Sequence, residues 1–446
     1  LSVPAMAVLD WALHVYQSQY APMTRTMSFV DNISMMSRFV MNLVWAFFSL
    51  RSFLDLWGLE IDIHKSYTWS TLPQTRAELA PLGIQVVEDI SELGGSLTFY
   101  SAARVRVFLE RGVRLEKKWA RLRISKAPLA QKLLSLPMVF WASALHGALG
   151  CIFADSHLHQ LRKKAIAALG LRIGGANPML RLSLSQPSTA DPGYYHLRHC
   201  IFDFRRVCHK TPDLLVMWQH FMANFTGRKL PGPFYKIVEL FSQVGWSIRV
   251  PPIFTDHDGF THNLFQMSNN GLEALLQDAW YQYLATQVQH RKTMHDLKGL
   301  HAELTLLDRA CMTPLELGRT MALQSGAFLS DWNHAKYDPT KPAICARCLV
   351  PNTQRHWFQC PEYEHIKQEM AEDFLWTQDV PDCLLHHLLV PRGRHEAEMK
   401  AYLMGIEDRT GCFHSKPGPG LQNLFSDSSF CPSQPRVFGV GAWSLV

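Results

Sequence analysis

The stretch Phe29-Val30-Asp31-Asn32 decides how this chain is interpreted. It separates an apolar pattern of helical spacing over residues 6–20 from a second one over residues 35–57. Asp-Asn pairs tolerate the left-handed backbone that tight turns need, so the stretch predicts a hairpin between two short strands. A carboxylate on such a turn can face solvent and hold a divalent cation. Taken alone, the stretch is better explained as an ordinary hairpin turn, and the segments that follow it favour a functional one.

Three further features follow the turn in order. The apolar stretch of residues 39–50 is too short to span a bilayer, and it predicts a buried helix whose stop signal is Gly58. Residues 59–66, which read Leu-Glu-Ile-Asp-Ile-His-Lys-Ser, predict a second strand-like pair. Leu93-Gly94-Gly95-Ser96-Leu97 predicts another hairpin. The expected order is therefore helix, hairpin, helix and short strands.

This order resembles the palm of a reverse transcriptase of the non-LTR retrotransposon type. In that family a Tyr-x-Asp-Asp turn, a Gly-Leu-x-Ile-x-x-x-Lys segment and a Leu-Gly hairpin follow one another. The resemblance implies that Asp31 is a catalytic ligand of Mg²⁺ or Mn²⁺, and that Ser2 packs under the incoming nucleotide. It also implies that Lys65 helps to orient a palm strand, although an ordinary surface lysine explains Lys65 equally well. Asn32 stands where the family usually has a second carboxylate, and its amide offers a cation only a neutral oxygen.

Composition indicates a folded protein with concentrated positive charge. The 446 residues are 47% apolar, which excludes a disordered chain. The formal net charge is only +6, but residues 104–126 carry nine basic side chains against two acidic ones. On one helix such a run can follow the phosphates of a duplex, and after the predicted palm it would open the thumb. A solvated helix face is the alternative. The four residues that we expect to bind nucleic acid are Arg114, Lys117, Lys118 and Arg121.

The most self-sufficient chemical signal is Cys345-x2-Cys348-x7-His356-x3-Cys360. Two cysteines across a tight knuckle, followed by a histidine and a cysteine one helical turn apart, can close a tetrahedral Zn²⁺ site. Four protein ligands leave no open position, so the zinc would be structural and coupled to local folding. The pattern ends in Cys-Pro and resembles the cluster found downstream of the polymerase in many non-LTR elements, where it helps to bind template RNA or target DNA. A purely structural knuckle is the alternative.

The last segment carries a further resemblance. Residues 424–429 and 439–446 are similar to the first two strands of a ribonuclease H domain, and the resemblance implies that Asp427 binds magnesium. The rest of that site would lie beyond Val446, so we expect no RNA cleavage. The alternative is a polar tail, because Pro417-Gly418-Pro419-Gly420 reads as a linker.

The sequence therefore predicts an α+β, predominantly helical fold. Helical patterns cover residues 105–171, 194–243 and 271–324. The predicted domains are a partial reverse transcriptase palm (1–100), a helical thumb (101–173), a helical connector (174–330), a small zinc knuckle (331–370), a linker region (371–420) and the truncated start of a ribonuclease H-like domain (421–446).

The function that the resemblance implies is RNA-directed DNA synthesis, a nucleotidyltransferase activity with an RNA template and a DNA primer or target as partners. Because the family's fingers and its other metal-binding Asp would precede Leu1, we expect no polymerase activity from the isolated chain. The alternatives are a non-catalytic nucleic-acid-binding remnant and a decayed copy of the element. The ten cysteines lack regular pairing and predict free thiols in a reducing compartment. The resemblance implies the nucleus, with the cytoplasm otherwise, and no membrane association is expected.

Overall fold

The computed structural model of the chain is mostly helical, with small sheets. It divides into two compact units, Leu1–Val107 and Phe108–Val446. None of the described helices is both long enough and apolar enough to cross a membrane. The structure describes residues 3–29, 32–70, 72–87, 89–92, 95–98, 103–150, 155–171, 175–227, 232–291, 293–306, 312–327, 335, 338, 340, 342–353, 356, 360–364 and 381–393.

The described part of the first unit contains three complete α-helices and six short strands. Its small core joins the first two helices, with Leu13 packed among Leu50, Phe53 and Leu54. The elements are α1 (Val3–Tyr20), β1 (Arg25–Phe29), β2 (Asn32–Met36), α2 (Val40–Leu56), β3 (Tyr67–Trp69), α3 (Pro73–Leu79), β4 (Gln85–Val87), β5 (Asp89–Glu92) and β6 (Gly95–Thr98).

Both hairpins predicted for this unit are confirmed. Strands β1 and β2 are antiparallel, and their register pairs Phe29 with Asn32 at the closed end. Strands β5 and β6 are also antiparallel and pair Glu92 with Gly95. In each case the register leaves a two-residue connection, the shortest common hairpin loop. Asp31 belongs to the first of these connections and lies outside the described residues.

The strand-like pair predicted over residues 59–66 is wrong. These residues contain a turn in which Asp62 Oδ1 accepts hydrogen bonds from the backbone N–H groups of His64 and Lys65. The backbone carbonyl of Asp62 also accepts from Ser66 N at 3.0 Å. An aspartate that bonds its own following backbone stabilises a turn and competes with strand pairing. The next strand, β3, begins only at Tyr67.

The second predicted helix begins later than expected and is only partly buried. Residues 35 and 36 belong to β2, where Met35 pairs with Thr26, so α2 begins at Val40. The predicted stop is confirmed, since Gly58 follows α2 with a left-handed φ of 64°. We expected the helix over residues 39–50 to be buried, but one of its faces is exposed to solvent. On this face Trp45 is 65% exposed. Three other apolar side chains share this exposure: Phe39, Met41 and Phe48.

The described strands of the first unit do not join into one sheet. Strands β1 and β2, β3 and β4, and β5 and β6 form three separate pairs. Only the pair of β3 and β4 is parallel. A partial palm therefore stays a proposal for this unit.

The second unit is built around a long hydrophobic core. Helix α4 contributes to this core from Phe108 onward. The unit's described α-helices are α4 (Ala103–Ile124), α5 (Leu129–Ser135), α6 (Ala142–Ala144), α7 (Asp155–Ala168), α8 (Pro178–Ser183), α9 (Pro192–Lys210), α10 (Asp213–Ala223), α11 (Pro233–Gln243), α12 (Asn269–Val288), α13 (Ala302–Leu306), α14 (Pro314–Gln324) and α15 (Asp382–His387).

Two prolines after α4 affect the chain in different ways. Pro128 directly precedes α5 and separates it from α4. Pro137 lies instead in a π-helical turn over Leu136–Trp141 that continues α5. Insertion of the wider turn keeps the chain helical where an ordinary α-helix would be interrupted by proline.

Segments that the sequence assigned to a thumb and to a connector share one core. Buried side chains from α4, such as Trp119, belong to the same cluster as Leu197 of α9 and Trp280 of α12. Cys383 and Leu389, on either side of the end of α15, also belong to it. A three-stranded antiparallel sheet of β7 (Ser247–Val250), β8 (Ile253–Thr255) and β9 (Thr261–Asn263) packs beside α11.

Candidate zinc centre and basic helix

The predicted zinc ligands lie on a knuckle whose backbone closes on itself. Cys345 N donates to the carbonyl of Val350 at 2.8 Å, and Leu349 N donates back to the carbonyl of Cys345 at 3.0 Å. Leu349 takes a left-handed φ of 61°, which lets the chain reverse within the Cys-x2-Cys spacing. An isolated bridge between Ile344 and Pro351 fixes the base of this turn.

The structure brings all four predicted ligands together. One ligand atom from each of them lies within 4.8 Å of the others. Cys345, His356 and Cys360 are buried, while Cys348 is half-buried. His356 follows a turn in which its N–H donates to Thr353 O at 3.1 Å, and Cys360 directly precedes a 3₁₀ turn. The cluster of Cys345, Cys348, His356 and Cys360 is called the CCHC cluster below.

The spacing within the CCHC cluster fits a tetrahedral zinc ion. Two thiolates at the usual bond length of about 2.3 Å lie about 3.8 Å apart around one ion. Cys348 Sγ and Cys360 Sγ lie 3.7 Å apart. Cys348 Sγ and His356 Nε2 lie 3.0 Å apart, so a bound ion requires this pair to open by about half an ångström. The donor set of three sulfurs and one imidazole is one that zinc prefers, and all four positions are filled by protein.

The knuckle also prepares one thiol for metal binding. Burial alone raises the pKa of Cys345, but the backbone N–H groups of Cys348 and Arg347 outweigh it and lower that pKa to about 6. The thiolate is the form that binds a metal, so the fold stabilises the ligand state of this sulfur. Burial raises the pKa of Cys360, whose thiol also lies close to that of Cys348. The Cys360 proton is therefore one that metal binding must displace.

The four basic residues predicted to bind nucleic acid form a stripe on α4. Residues 114, 117, 118 and 121 recur at spacings of three and four, so they lie along one side of the helix. All four side chains are exposed. The other side of α4 is anchored in the core by Leu115 and by Trp119, whose ring stacks on Phe140 with centroids 3.9 Å apart. This set of Arg114, Lys117, Lys118 and Arg121 is called the basic stripe below.

The acidic side chain of Glu116 on α4 is engaged outside the stripe. Glu116 forms a salt bridge with Lys164 of α7, so its charge is matched by a lysine on another helix. This pair also ties α4 to α7. The basic stripe therefore presents several positive charges along a helix rise of about 10 Å.

The proposed polymerase residues are only partly described. Ser2, Asp31 and Asp427 lie outside the described residues. Asn32 opens β2 opposite Phe29, which fits its predicted position at a hairpin end. Lys65 lies in the Asp62 turn rather than on a strand, and its Nζ is 3.0 Å from Asp62 Oδ2 with the side chain 86% exposed. An exposed turn lysine pairs weakly and is free to move.

The structure reveals one polar group that the sequence analysis missed. His257 Nε2 lies 3.4 Å from a carboxylate oxygen of Asp258 and 3.4 Å from one of Asp278. Arg392 forms ion pairs with both carboxylates. The guanidinium balances their charge and ties the segment after α15 to α12. No spacing rule could have identified the whole group, because Arg392 lies more than a hundred residues along the chain from the other three members.

Comparison with known proteins identifies no relative. The chain matches no protein-family model, and neither a curated protein nor a solved structure is detectably similar to it. The CCHC cluster and the basic stripe are therefore the features on which a functional argument rests.

Proposed function

We propose that this chain is a nucleic-acid-binding part of a reverse transcriptase of the non-LTR retrotransposon type, acting in the nucleus on an RNA template and a DNA primer or target. The observation that carries the proposal is the basic stripe. Four cations on one exposed helix face, with the opposite face packed in a core, form a rigid surface for phosphates. The family assignment itself rests on the order of sequence features: hairpin, basic helix and CCHC cluster.

The basic stripe suits the phosphate backbone of a duplex and does not select a base sequence. Lysine and arginine side chains neutralise backbone phosphates and release condensed counterions, which gives affinity that does not depend on base sequence. The rise of about 10 Å along the stripe is enough to reach more than one phosphate of the same strand. We expect the stripe to set affinity and salt dependence, and base recognition to come from other residues.

The CCHC cluster contributes to this function by ordering its own segment. Zinc held by Cys345, Cys348, His356 and Cys360 would be structural, since no ligand position is left for water or substrate. The exposed Arg347 lies within the knuckle between the first two ligands. We propose that the ordered knuckle presents such side chains to template RNA or target DNA.

The polymerase chemistry is the part of the proposal that depends on resemblance alone. Asp31 is proposed to hold a divalent cation, Mg²⁺ or Mn²⁺, for transfer of a nucleotide to a primer 3′-hydroxyl. Asn32 supplies a neutral oxygen where a second carboxylate usually binds the cation, which weakens the fit. Asn32 therefore favours the second candidate function, a nucleic-acid-binding protein without catalysis.

The first experiment measures duplex binding as a function of salt. The variant R114Q/K117Q/K118Q/R121Q removes the basic stripe, and the control K163Q/K210Q/R249Q/K298Q removes four exposed charges elsewhere in the second unit. We expect wild type and control to share a steep salt dependence for an RNA–DNA duplex. In the stripe variant, the slope of log K against log[salt] should fall by about 3 to 4. Equal slopes in all three proteins would contradict the proposal.

A primer-extension assay separates the two candidate functions. Because no polymerase activity is expected from the isolated chain, the assay uses the chain with a fingers segment and metal-binding Asp of the family joined before Leu1. This protein and its Asp31→Ala variant are given an RNA template, a DNA primer and either Mg²⁺ or Mn²⁺. Extension that disappears with Asp31→Ala supports the polymerase and assigns Asp31 as a metal ligand. Absence of extension in both proteins, with stripe-dependent duplex binding intact, supports the non-catalytic binding protein.

A further inference from the structure

Two buried arginines of the second unit differ in their surroundings. Arg162 of α7 is paired with Asp191 through two hydrogen bonds of 2.7 and 2.8 Å. This carboxylate raises the pKa of Arg162 even though burial alone would lower it. Arg181 of α8 is more deeply buried, with 3% of its surface exposed. Among the described residues, no carboxylate forms an ion pair with it.

Two guanidinium nitrogens of Arg181 have no partner inside the protein. Its Nε and Nη1 atoms are inaccessible to solvent and have no hydrogen-bond partner. Helix α8 packs against α7 and α14. On α14, Thr320 carries a second buried polar atom, Oγ1, that also lacks a partner. The side of the core where α8 meets α14 therefore contains unused donors on both helices.

Such an arrangement is costly unless a ligand completes it. A buried cation without a counter-ion loses its hydration and gains nothing in return, and burial indeed lowers the pKa of Arg181. Buried polar groups in folded proteins are nearly always satisfied by protein, water or a bound ion. Arg162 indicates which kind of group suits Arg181, because the guanidinium of Arg162 donates to two carboxylate oxygens of Asp191.

We propose that Arg181 is the recognition residue of a buried site for a small oxyanion, a phosphate or a carboxylate group. The planar guanidinium presents parallel donors that match two oxygens of such a group. The hydroxyl of Thr320 is a further donor on the neighbouring helix. This site is independent of the basic stripe, because it takes one small anion into the core rather than a duplex on the surface.

The test measures thermal unfolding of the full chain in phosphate, in acetate and in chloride at constant ionic strength. Fluorescence of buried tryptophans such as Trp218 and Trp280 reports on the second unit. We expect wild type to gain a saturable upward shift of roughly 5 °C in phosphate or in acetate at about a hundredfold excess over the dissociation constant. The anion that gives the shift identifies the class of oxyanion.

Two variants assign the effect to Arg181. Arg181→Met keeps the volume and removes the charge, so the anion-dependent shift should disappear while stability in chloride is retained or increased. Arg181→Lys keeps the charge without the fork and should weaken anion binding about tenfold, which also covers the case in which Arg181→Met does not fold. Arg206→Met, at an arginine whose side chain is 66% exposed, is the control and should behave as wild type.

Any of three results would overturn the site. One is a shift of the same size in wild type and in the Arg181 variants, which would mean an adventitious ion only. Another is the absence of any shift in wild type with both anions. Loss of stability of Arg181→Met in chloride by the amount typical of a broken buried ion pair would also contradict it, because it would mean that the chain itself supplies the partner.

Discussion

Arg162 and Asp191 form a buried two-point ion pair that joins α7 to the start of α9. Arg162 Nε donates to Asp191 Oδ2 at 2.7 Å, and Nη2 donates to Oδ1 at 2.8 Å. Asp191 Oδ1 also accepts from the N–H of Gly193 at 2.7 Å, so the same carboxylate caps the helix. One fully buried side chain thereby holds a helix end and a neighbouring helix together.

Asp191→Asn should strongly destabilise the second unit. Asparagine can still cap α9, but it leaves the guanidinium of Arg162 buried without a counter-charge, at a cost of about 3–5 kcal/mol. The measurement is the free energy of unfolding in denaturant, followed by tryptophan fluorescence. The double variant R162M/D191N removes both charges and should recover much of the loss. If the double variant is as unstable as the sum of both single variants, the two residues do not act as a pair.

Gly193→Ala should also be destabilising, for a steric reason. A Cβ at this position would lie 2.4 Å from Arg162 Nη2 and 2.7 Å from a ring atom of Trp280. Relief of these contacts must shift packed side chains, which costs about 1–3 kcal/mol. Gly112→Ala is the matched control, because its Cβ meets nothing within 4 Å on α4. The control should gain about 0.5–1 kcal/mol from helix propensity, and a loss of equal size in both variants would contradict the argument.

Cys360→Ser should abolish stoichiometric zinc binding. The purified wild-type chain should release about one zinc ion per molecule to a colorimetric chelator, as expected for one closed four-ligand site. Cys208→Ala removes a thiol buried in α9 and should leave zinc content unchanged. Chelation should also raise hydrogen exchange in residues 343–353 without a change in α9, since metal binding and local folding are coupled. Retention of zinc by Cys360→Ser would remove this cysteine from the ligand set.

His387 should make stability fall with acid. Its Nδ1 lies 2.9 Å from the carbonyl of Leu323, which can only accept, so Nδ1 carries the proton. Its Nε2 then accepts from Thr293 Oγ1 at 2.7 Å. Burial lowers the pKa of His387 to about 4. As the pH falls, His387 therefore binds a proton near pH 6.5 in the unfolded chain but only near pH 4 in the folded chain.

The sign and window of this pH dependence follow from the lowered pKa. The contribution of His387 is present in full above pH 6.5, declines as pH falls from about 6.5 to 4, and is of order 3 kcal/mol in total. His387→Gln should flatten the stability profile in this window, while His64→Gln, at an exposed turn, should leave it unchanged. Parallel profiles for wild type and His387→Gln would exclude His387 as the source.

Local patterns predicted the two hairpins and the convergence of the CCHC cluster well because both depend on neighbours in sequence. Phe29 and Asn32 lie opposite each other in a hairpin that the Asp-Asn pair indicated, and Cys345 and Cys348 converge because a two-residue spacing closes a knuckle. The turn at Asp62 was missed because its apolar neighbours alternate as in a strand. There the decisive interaction is a side-chain bond to the following backbone, which hydrophobic periodicity does not register.

The long-range features could not be predicted from spacing. The pair of Arg162 and Asp191 and the ion pairs of Arg392 connect residues far apart in the chain, and no local pattern marks them. The extent of the core could not be predicted either. Trp119 and Trp280 belong to one core, but the sequence assigns them to separate helical regions. Exposure of Trp45 on α2 was also unexpected, because an apolar run does not reveal how many of its faces find a partner.

The CCHC cluster lies on the segment between α14 and α15. Both ends of this segment are anchored in the second unit. Thr320 near the start is buried, and Cys383 near the end belongs to the core. The knuckle is therefore tethered at two points to the unit that carries the basic stripe, which gives it a high effective concentration near any nucleic acid bound there. Under the proposed function, weak contacts of the knuckle and of the basic stripe with one duplex would multiply in avidity. Removal of zinc should consequently weaken binding of a long duplex far more than that of a short one that reaches the stripe alone.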